Sequence, residues 1–140
     1  ILKIFGSSGA DTGEDFDLGP TRVSFADCYL NEEWKKKAHA NRWQLTEVKS
    51  ENTIDRIKGT AANPRFIERV PEGTQFDFLV TFKTLQDGDE QLFNTLLEGL
   101  KLLELDALGG SGSRGYGRIA FEFKDTEIQE KFKNLNPFDK

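Results

Sequence analysis

The stretch DEQLFNTLLEGLKLLELDALGGSGSRGYGRIAFEF, residues 89–123, decides the fold because its hydrophobic periodicity changes partway along. In residues 89–108, apolar side chains recur at three- and four-residue spacing, which predicts an amphipathic helix with one face on the core. The members of that face are Phe93, Leu96, Leu97, Leu100 and Leu103. Residues 118–123 instead alternate apolar and polar side chains, which predicts a strand. The helix therefore leads through a glycine-rich corner into a sheet.

The glycine-rich loop, residues 109–117, holds five glycines together with Arg114 and Tyr116. Gly109 suits the left-handed position that ends a helix, yet one or two glycines are enough for a tight connection. Glycines spaced by serines leave backbone N–H groups open to an oxyanion. Arg114 adds a planar guanidinium suited to phosphate, and Tyr116 adds a ring for stacking on a base. The loop predicts contact with a long polyanion such as a nucleic acid, while a purely structural connection stays open.

Gly110, Gly112 and Gly115 also satisfy the G-x-G-x-x-G spacing of dinucleotide-binding proteins. That motif works when a strand precedes it and a helix begins at it, because the helix N-terminus then faces the pyrophosphate. Here a helix precedes the glycines and a strand follows them. No Lys-Ser or Lys-Thr pair follows either, which a phosphate-binding P-loop requires. A nucleotide-binding enzyme is therefore the weaker interpretation.

Period-two alternation predicts two further strands, TRVSFADCYL at residues 21–30 and FDFLVTF at residues 76–82. The first places Val23, Phe25 and Tyr29 on one face and gives Cys28 a buried position; the second aligns Phe76, Phe78, Val80 and Phe82.

Residues 47–75 predict a protruding hairpin, because Pro64 and Pro71 forbid a long helix and a Gly/Asn/Pro-rich tip separates two extended arms. The pattern of residues 1–6 predicts the tail of a helix that ends at Gly6. Residues 7–20 are predicted to form a polar loop, and residues 126–135 a short closing helix. Residues 31–45 are irregular or a short helix. This order predicts an α+β domain over residues 1–140 with helices on one face of a sheet.

The chain has 140 residues and a net charge of −5, which argues against a generic polyanion-binding protein. The charge is uneven, however, since residues 11–33 hold seven acids and one base. A single cysteine excludes an internal disulfide, and no apolar run is long enough to span a bilayer, which favours a soluble, non-secreted protein. Because the chain starts at Ile1 and contains no methionine, we expect a fragment of a longer protein.

Three segments together resemble a known family: LLELDALGGSGSRGYGRIAF, VKSENTIDRIKGTA and FIERVPEGTQFDF. They are similar to the RAMP-superfamily backbone subunits of type III-A CRISPR (Csm) effector complexes, and the resemblance runs over residues 1–124. It implies a modified ferredoxin-like, RNA-recognition-motif-like fold that lacks its N-terminal strand and part of its first helix. It also implies a cytoplasmic prokaryotic protein that forms a filament. The implied partners are crRNA, target RNA, further copies of the chain and other Csm subunits, with no membrane.

The resemblance also implies which residues contact RNA. The glycine-rich loop would lie on the guide phosphates through Gly109, Gly110, Ser111, Gly112, Ser113, Arg114, Gly115 and Tyr116. The hairpin would be the family's thumb, with Ile57 or Phe66 as a wedge between bases. Its basic positions are Lys49, Arg56, Lys58, Arg65 and Arg69. Acidic residues in the same hairpin leave open a rival interpretation, a solvated hairpin with internal ion pairs.

The family is a metal-dependent endoribonuclease, and its key aspartate lies near the start of the full-length protein. We expect that segment upstream of Ile1, so no catalytic residue is assigned and the divalent metal is expected only in the full-length protein. Asp11, Glu14, Asp15 and Asp17 are hard oxygen ligands, but a flexible acidic loop explains them better. Two other functions stay open: a nucleotide-binding enzyme, and an assembly module without RNA contact.

Overall fold

A computed structural model describes residues 1–7 and 18–139 of the chain as an α+β arrangement with small antiparallel sheets. In chain order the elements are α1 Leu2–Phe5, β1 Val23–Phe25, β2 Tyr29–Leu30, α2 Glu32–Ala40, β3 Glu47–Asp55, β4 Thr60–Arg69, β5 Phe76–Asp77, β6 Val80–Phe82, α3 Asp89–Leu105, a 3-10 turn Gly112–Arg114 and α4 Thr126–Asn134. Strand β1 pairs with β6, β2 with β5, and β3 with β4. None of the described helices has the length and apolar composition needed to cross a membrane.

The chain divides into two compact units, which we describe separately. Unit 1 comprises residues 1–25 and 80–140, and unit 2 comprises residues 26–79. Helices α1, α3 and α4, the β1–β6 pair and the glycine-rich loop belong to unit 1. Helix α2, the β2–β5 pair and the β3–β4 hairpin belong to unit 2.

Helix α3 supplies both hydrophobic clusters of unit 1. Leu96 packs with Ile4 and Val23, whereas Leu97 and Leu100 pack with Phe132 of α4. Phe93 lies against both clusters, and Phe121 and Phe123 cover the second. The apolar face predicted for α3 and the closing helix α4 are therefore confirmed.

Helix α3 ends three residues earlier than predicted. Its last residue is Leu105, and Asp106 follows in a non-helical conformation with ψ −120°. The cause is the loop that follows, because the N–H of Leu108 donates to the carbonyl of Gly117 and not to a helix carbonyl. Gly109 adopts the expected left-handed backbone, with φ +83°, but within the loop and not at the helix end.

A buried ion pair joins the start of β1 to the start of α3. Nε of Arg22 lies 2.8 Å from Oδ2 of Asp89, and the two residues are 3% and 1% exposed. The same carboxylate oxygen accepts the N–H groups of Leu85 and Gln86. The Leu85 N–H, followed by Arg22 and the Gln86 N–H, holds the pKa of Asp89 below its ordinary value of 3.8, although burial opposes this.

The predicted strands are shorter than their sequence patterns. Residues 118–123 form no strand, because side chains take up the backbone N–H groups of Phe121 and Phe123. FDFLVTF splits into β5 and β6, and TRVSFADCYL splits into β1 and β2. The expectation of one sheet with helices on one face is therefore wrong for the described residues. Cys28 lies between β1 and β2 and is exposed, contrary to its predicted buried position.

In unit 2, residues 31–45 include a true helix, α2. The side chain of Asn31 caps it by accepting the N–H groups of Glu33 and Trp34. Trp34 and Ala38 are its buried residues. Of the two alternatives for this segment, the short helix is correct.

Strands β3 and β4 pair from Glu47 opposite Arg69 to Asp55 opposite Thr60. The turn between them lies at residues 56–59, where the side chain of Asp55 accepts the N–H groups of Ile57 and Lys58. Asn63 and Pro64, expected at the tip, instead lie within β4, next to a shift in register opposite residues 51–53. Asp55 sets the turn because its carboxylate satisfies two amides that a strand would otherwise pair.

Candidate nucleic-acid interface

The glycine-rich loop has a closed neck. The N–H of Leu108 donates to the carbonyl oxygen of Gly117 at 2.8 Å. Gly117 has φ +70°, and a Cβ atom at this position would lie 2.1 Å from the carbonyl oxygen of Leu108. No side chain fits in that space, so only glycine allows the two sides of the loop to approach this closely.

Within the loop, a single 3-10 turn fixes the backbone. The N–H of Arg114 donates to Ser111 O and the N–H of Gly115 donates to Gly112 O, both at 2.9 Å. Ser111 and Gly115, at the two ends of the turn, have left-handed φ values of 62° and 79°. A Cβ on Gly112 would lie 2.8 Å from Cβ of Ala107, so the turn is also packed against the segment that follows α3. The loop therefore has a defined shape.

Five consecutive amides of the loop have no acceptor among the residues that the structure describes. Within residues 1–7 and 18–139, no backbone carbonyl or side chain accepts the N–H groups of Gly109, Gly110, Ser111, Gly112 and Ser113. All five residues are exposed, and the space around Gly110 is open. Adjacent unpaired N–H groups on a turn form a concave site that favours an anion. Oxygen atoms of a bound phosphate would satisfy them.

Arg114 and Tyr116 differ in exposure. Arg114 is exposed at the end of the turn. Tyr116 is only 7% exposed, so its ring is packed inside the protein. This corrects the expectation that Tyr116 offers a ring for base stacking, because a buried ring has no free face. The alternation of Tyr116 with two glycines gave no sign of this burial.

The basic residues of the hairpin fall into two groups. Lys49 lies 3.6 Å from Glu51, and Arg69 pairs with Glu47. For these two positions the internal ion pairs of the rival interpretation are present. A basic side chain that is already paired with a carboxylate has less to offer a phosphate.

Arg56, Lys58 and Arg65 form the second group. They are exposed and form no ion pair in the part of the chain that the structure describes. The two proposed wedge residues are also in solvent, with Ile57 96% exposed at the turn and Phe66 74% exposed on β4. Arg56, Ile57 and Lys58 lie in the turn, whereas Arg65 and Phe66 lie along β4 opposite Glu51 and Ser50. Positive charge and exposed apolar side chains therefore occur both in the turn and along β4, a combination found in proteins that bind single-stranded nucleic acid.

Comparison with known protein families gives a match over most of the chain. The model of the RAMP superfamily matches residues 2–122. The chain belongs to the RAMP superfamily.

Its relatives carry the name "CRISPR system Cms endoribonuclease Csm3". The protein from Methanocaldococcus jannaschii is 45% identical over 123 residues, which is 86% of this chain and 46% of the relative. The protein from Streptococcus thermophilus is 44% identical over 125 residues, covering 87% of this chain and 54% of the relative. The protein from Methanothermobacter thermautotrophicus is 39% identical over 146 residues, covering 94% of this chain and 56% of the relative. The RAMP chain thus spans about half the length of these curated relatives.

The described part of this RAMP chain offers no metal centre. No group of three or more His, Cys, Asp or Glu side chains within it is placed to hold a metal ion. Asp11, Glu14, Asp15 and Asp17, the acidic residues considered from the sequence, lie outside the described residues. The described residues therefore do not fit a divalent metal.

Sequence reasoning missed two residues that shape the loop of this RAMP chain. Gly117 closes the neck, and its only signal was its position just before the apolar alternation. Glu104, on α3, accepts the N–H of Phe121 beyond the loop. Nothing in the sequence indicates that contact, because the two partners are 17 positions apart and the whole loop lies between them.

Proposed function

We propose that this chain is part of a guide-RNA-binding backbone subunit of a type III-A CRISPR interference complex. Its membership of the RAMP superfamily and its similarity to proteins named Csm3 endoribonuclease support the proposal. The single observation that carries RNA binding is the row of five exposed amides, residues 109–113, that have no acceptor in the described part of the chain. These amides, with Arg114, hold the phosphates of the guide strand.

A grip of this kind does not depend on base sequence. Backbone amides and guanidinium groups contact phosphate oxygens, which are the same for every nucleotide. Sequence specificity then comes from base pairing between guide and target RNA. The protein has only to hold the strand with its bases accessible, as proteins that bind single strands do.

The hairpin, residues 47–75, acts as the thumb of the subunit. Arg56, Lys58 and Arg65 contact the RNA backbone, and Ile57 or Phe66 inserts between bases. The ion pairs of Lys49 and Arg69 make these two residues secondary contacts. The partners are crRNA, target RNA, further copies in a filament and other Csm subunits. The whole protein forms a modified ferredoxin-like core and cleaves target RNA with a divalent metal, outside the residues described.

The two alternative functions have less support. A nucleotide-binding enzyme would need a helix that begins at the G-x-G-x-x-G glycines, whereas the loop contains only the three-residue turn Gly112–Arg114. An assembly module without RNA contact gives no specific role to the exposed amides of residues 109–113, which have no acceptor among the described residues.

Gly110→Ala tests the proposal in the protein expressed with its natural flanking sequence. Gly110 has open space around it and no left-handed φ, so alanine fits the folded chain. The added methyl group instead occupies the space that a phosphate needs beside the amides. We expect affinity for single-stranded RNA, measured by fluorescence anisotropy, to fall about tenfold, as expected when such hydrogen bonds are lost.

Gly99→Ala is the matched control, since Gly99 lies in α3 with nothing within 4 Å of the added Cβ. It should stabilise the helix by about 1 kcal/mol and leave RNA affinity unchanged. Equal RNA affinity for the Gly110 and Gly99 variants would count against the proposal. So would wild-type protein whose RNA affinity does not fall as salt is raised.

A further inference from the structure

We infer that Glu104 is a positioning residue for RNA binding: its carboxylate holds the far side of the glycine-rich loop and so presents the loop amides without touching RNA. The inference rests on the proposed function of the loop. It concerns a residue on α3 that precedes the loop and has no place in the glycine motif. The contacts around its two carboxylate oxygens carry the argument.

Each oxygen of Glu104 has its own partner. Oε1 accepts the N–H of Phe121 at 2.6 Å, and Oε2 lies 3.2 Å from Nζ of Lys101. The side chains of Glu104 and Lys101 are 16% and 22% exposed, so water screens them only partly. Nζ of Lys101 is also 4.8 Å from the ring centroid of Phe132, a core residue. The carboxylate is therefore held in place by a neighbour that is itself fixed.

The hydrogen bond from the N–H of Phe121 to Glu104 lies outside the neck of the loop. Leu108 and Gly117 close the neck, and Glu104 and Phe121 form a second closure further from the tip. Residues 118–123 form no strand with the described residues of unit 1. Side-chain acceptors replace a backbone ladder, with Glu104 bonding Phe121 and Gln129 bonding Phe123 at 2.6 Å. Glu104 is the acceptor nearer to the loop.

The charge of Glu104 gives the inference a clear test. A carboxylate near a phosphate-binding loop repels RNA, so electrostatics alone predicts that removing it strengthens binding. Positioning predicts the opposite, because loss of the acceptor frees the segment after the loop and so loosens the loop that carries the amides. The two explanations differ in the sign of the effect.

The experiment compares three variants of the protein with its natural flanking sequence, by anisotropy with single-stranded RNA. Glu104→Ala should weaken binding about tenfold, as for a lost charged hydrogen bond. Glu104→Gln, which keeps an oxygen to accept the N–H of Phe121, should bind within about twofold of wild type. Glu98→Ala removes the same charge from an exposed position on α3 and should bind at least as well as wild type.

Unchanged or tighter binding by Glu104→Ala overturns the inference, and so does equal weakening by Glu104→Gln. If wild-type protein binds no RNA, the proposed function fails instead, and amide hydrogen exchange without RNA still tests the positioning. Exchange of the hydrogen-bonded amides of Leu108, Arg114 and Gly115 should rise in Glu104→Ala and stay unchanged in Glu104→Gln. If Glu104→Ala does not fold, Lys101→Met, which releases the other carboxylate oxygen, should raise the same exchange. No rise overturns the inference.

Discussion

At the scale of single residues, the buried carboxylate of Asp89 joins three partners in unit 1. One of its oxygens accepts hydrogen bonds from Arg22, Leu85 and Gln86. It thereby satisfies two loop amides and neutralises an arginine that is 3% exposed. Removing one partner from such a pair leaves the other charge buried and uncompensated, which is costly.

We predict that Asp89→Asn lowers the melting temperature by several degrees at pH 7. The pKa of Asp89 is lowered in the folded protein, so its ionised form adds stability at pH values above 3.8, and this stability is lost as the pH falls through the folded-state pKa. The difference between variant and wild type should therefore narrow as the pH is lowered below 3.8. Thermal denaturation followed by circular dichroism at several pH values measures it. Asp87→Asn, at an exposed position in the same turn, should change little.

The same scale shows where sequence reasoning failed. Tyr116 lies among glycines and serines, which is typical of an exposed loop, yet its ring is buried. Cys28 lies in an apolar alternation, which is typical of a buried strand, yet it is exposed. Burial of a single side chain depends on what folds over it from elsewhere in the chain. Local spacing carries no information about that cover.

At the scale of elements, the existence of helices α3 and α4 was predicted correctly, whereas the lengths of the strands were not. Helix α3 forms because its apolar residues share one face over many turns, and that face alone can build the core. Strands need partners, and the alternation of residues 118–123 says nothing about which acceptors lie nearby. In the folded chain those acceptors are the side chains of Glu104 and Gln129. The glycine-rich loop was predictable as a loop, whereas the hydrogen bonds that close it were not.

The apolar face of α3 gives a prediction for stability. Leu97 of α3 is 1% exposed and packs with Phe132. Leu97→Ala should therefore lower the free energy of unfolding by about 2–5 kcal/mol, because buried apolar area is lost and a cavity is left. Leu102 is 44% exposed on the same helix, and Leu102→Ala should cost less than about 1 kcal/mol. Urea denaturation, with m values checked for equality, measures both. Similar losses from the two substitutions would mean that the core lies elsewhere.

At the scale of the whole molecule, net charge is a poor guide to what the protein binds. The sum of −5 suggests repulsion from RNA. The distribution of ion pairs alters that expectation of repulsion. Lys49 and Arg69 have acidic partners. Arg56, Lys58 and Arg65 are exposed and have no acidic partner among the described residues. Local, unpaired positive charge determines contact with a phosphate strand.

Replacing Arg56, Lys58 and Arg65 together with alanine should weaken RNA binding and reduce its salt dependence. Each lost phosphate contact lowers the slope of log affinity against log salt by about 0.7 for a single strand, so three contacts give about 2. Titrations at four or more salt concentrations measure the slope. Replacing Lys35, Lys36 and Lys37 of α2 removes the same charge and should leave the slope unchanged. An equal change in both triple variants would mean that total charge, and not the hairpin, determines binding.

The close approach of Gly117 to Leu108 has a consequence for the speed of binding. A loop whose neck is fixed by a backbone hydrogen bond needs little conformational change after it meets a ligand. Little conformational entropy is then lost on association. For the proposed RNA ligand, we expect diffusion and electrostatic attraction to set the association rate constant. Differences in affinity among RNA strands should then arise from their dissociation rate constants.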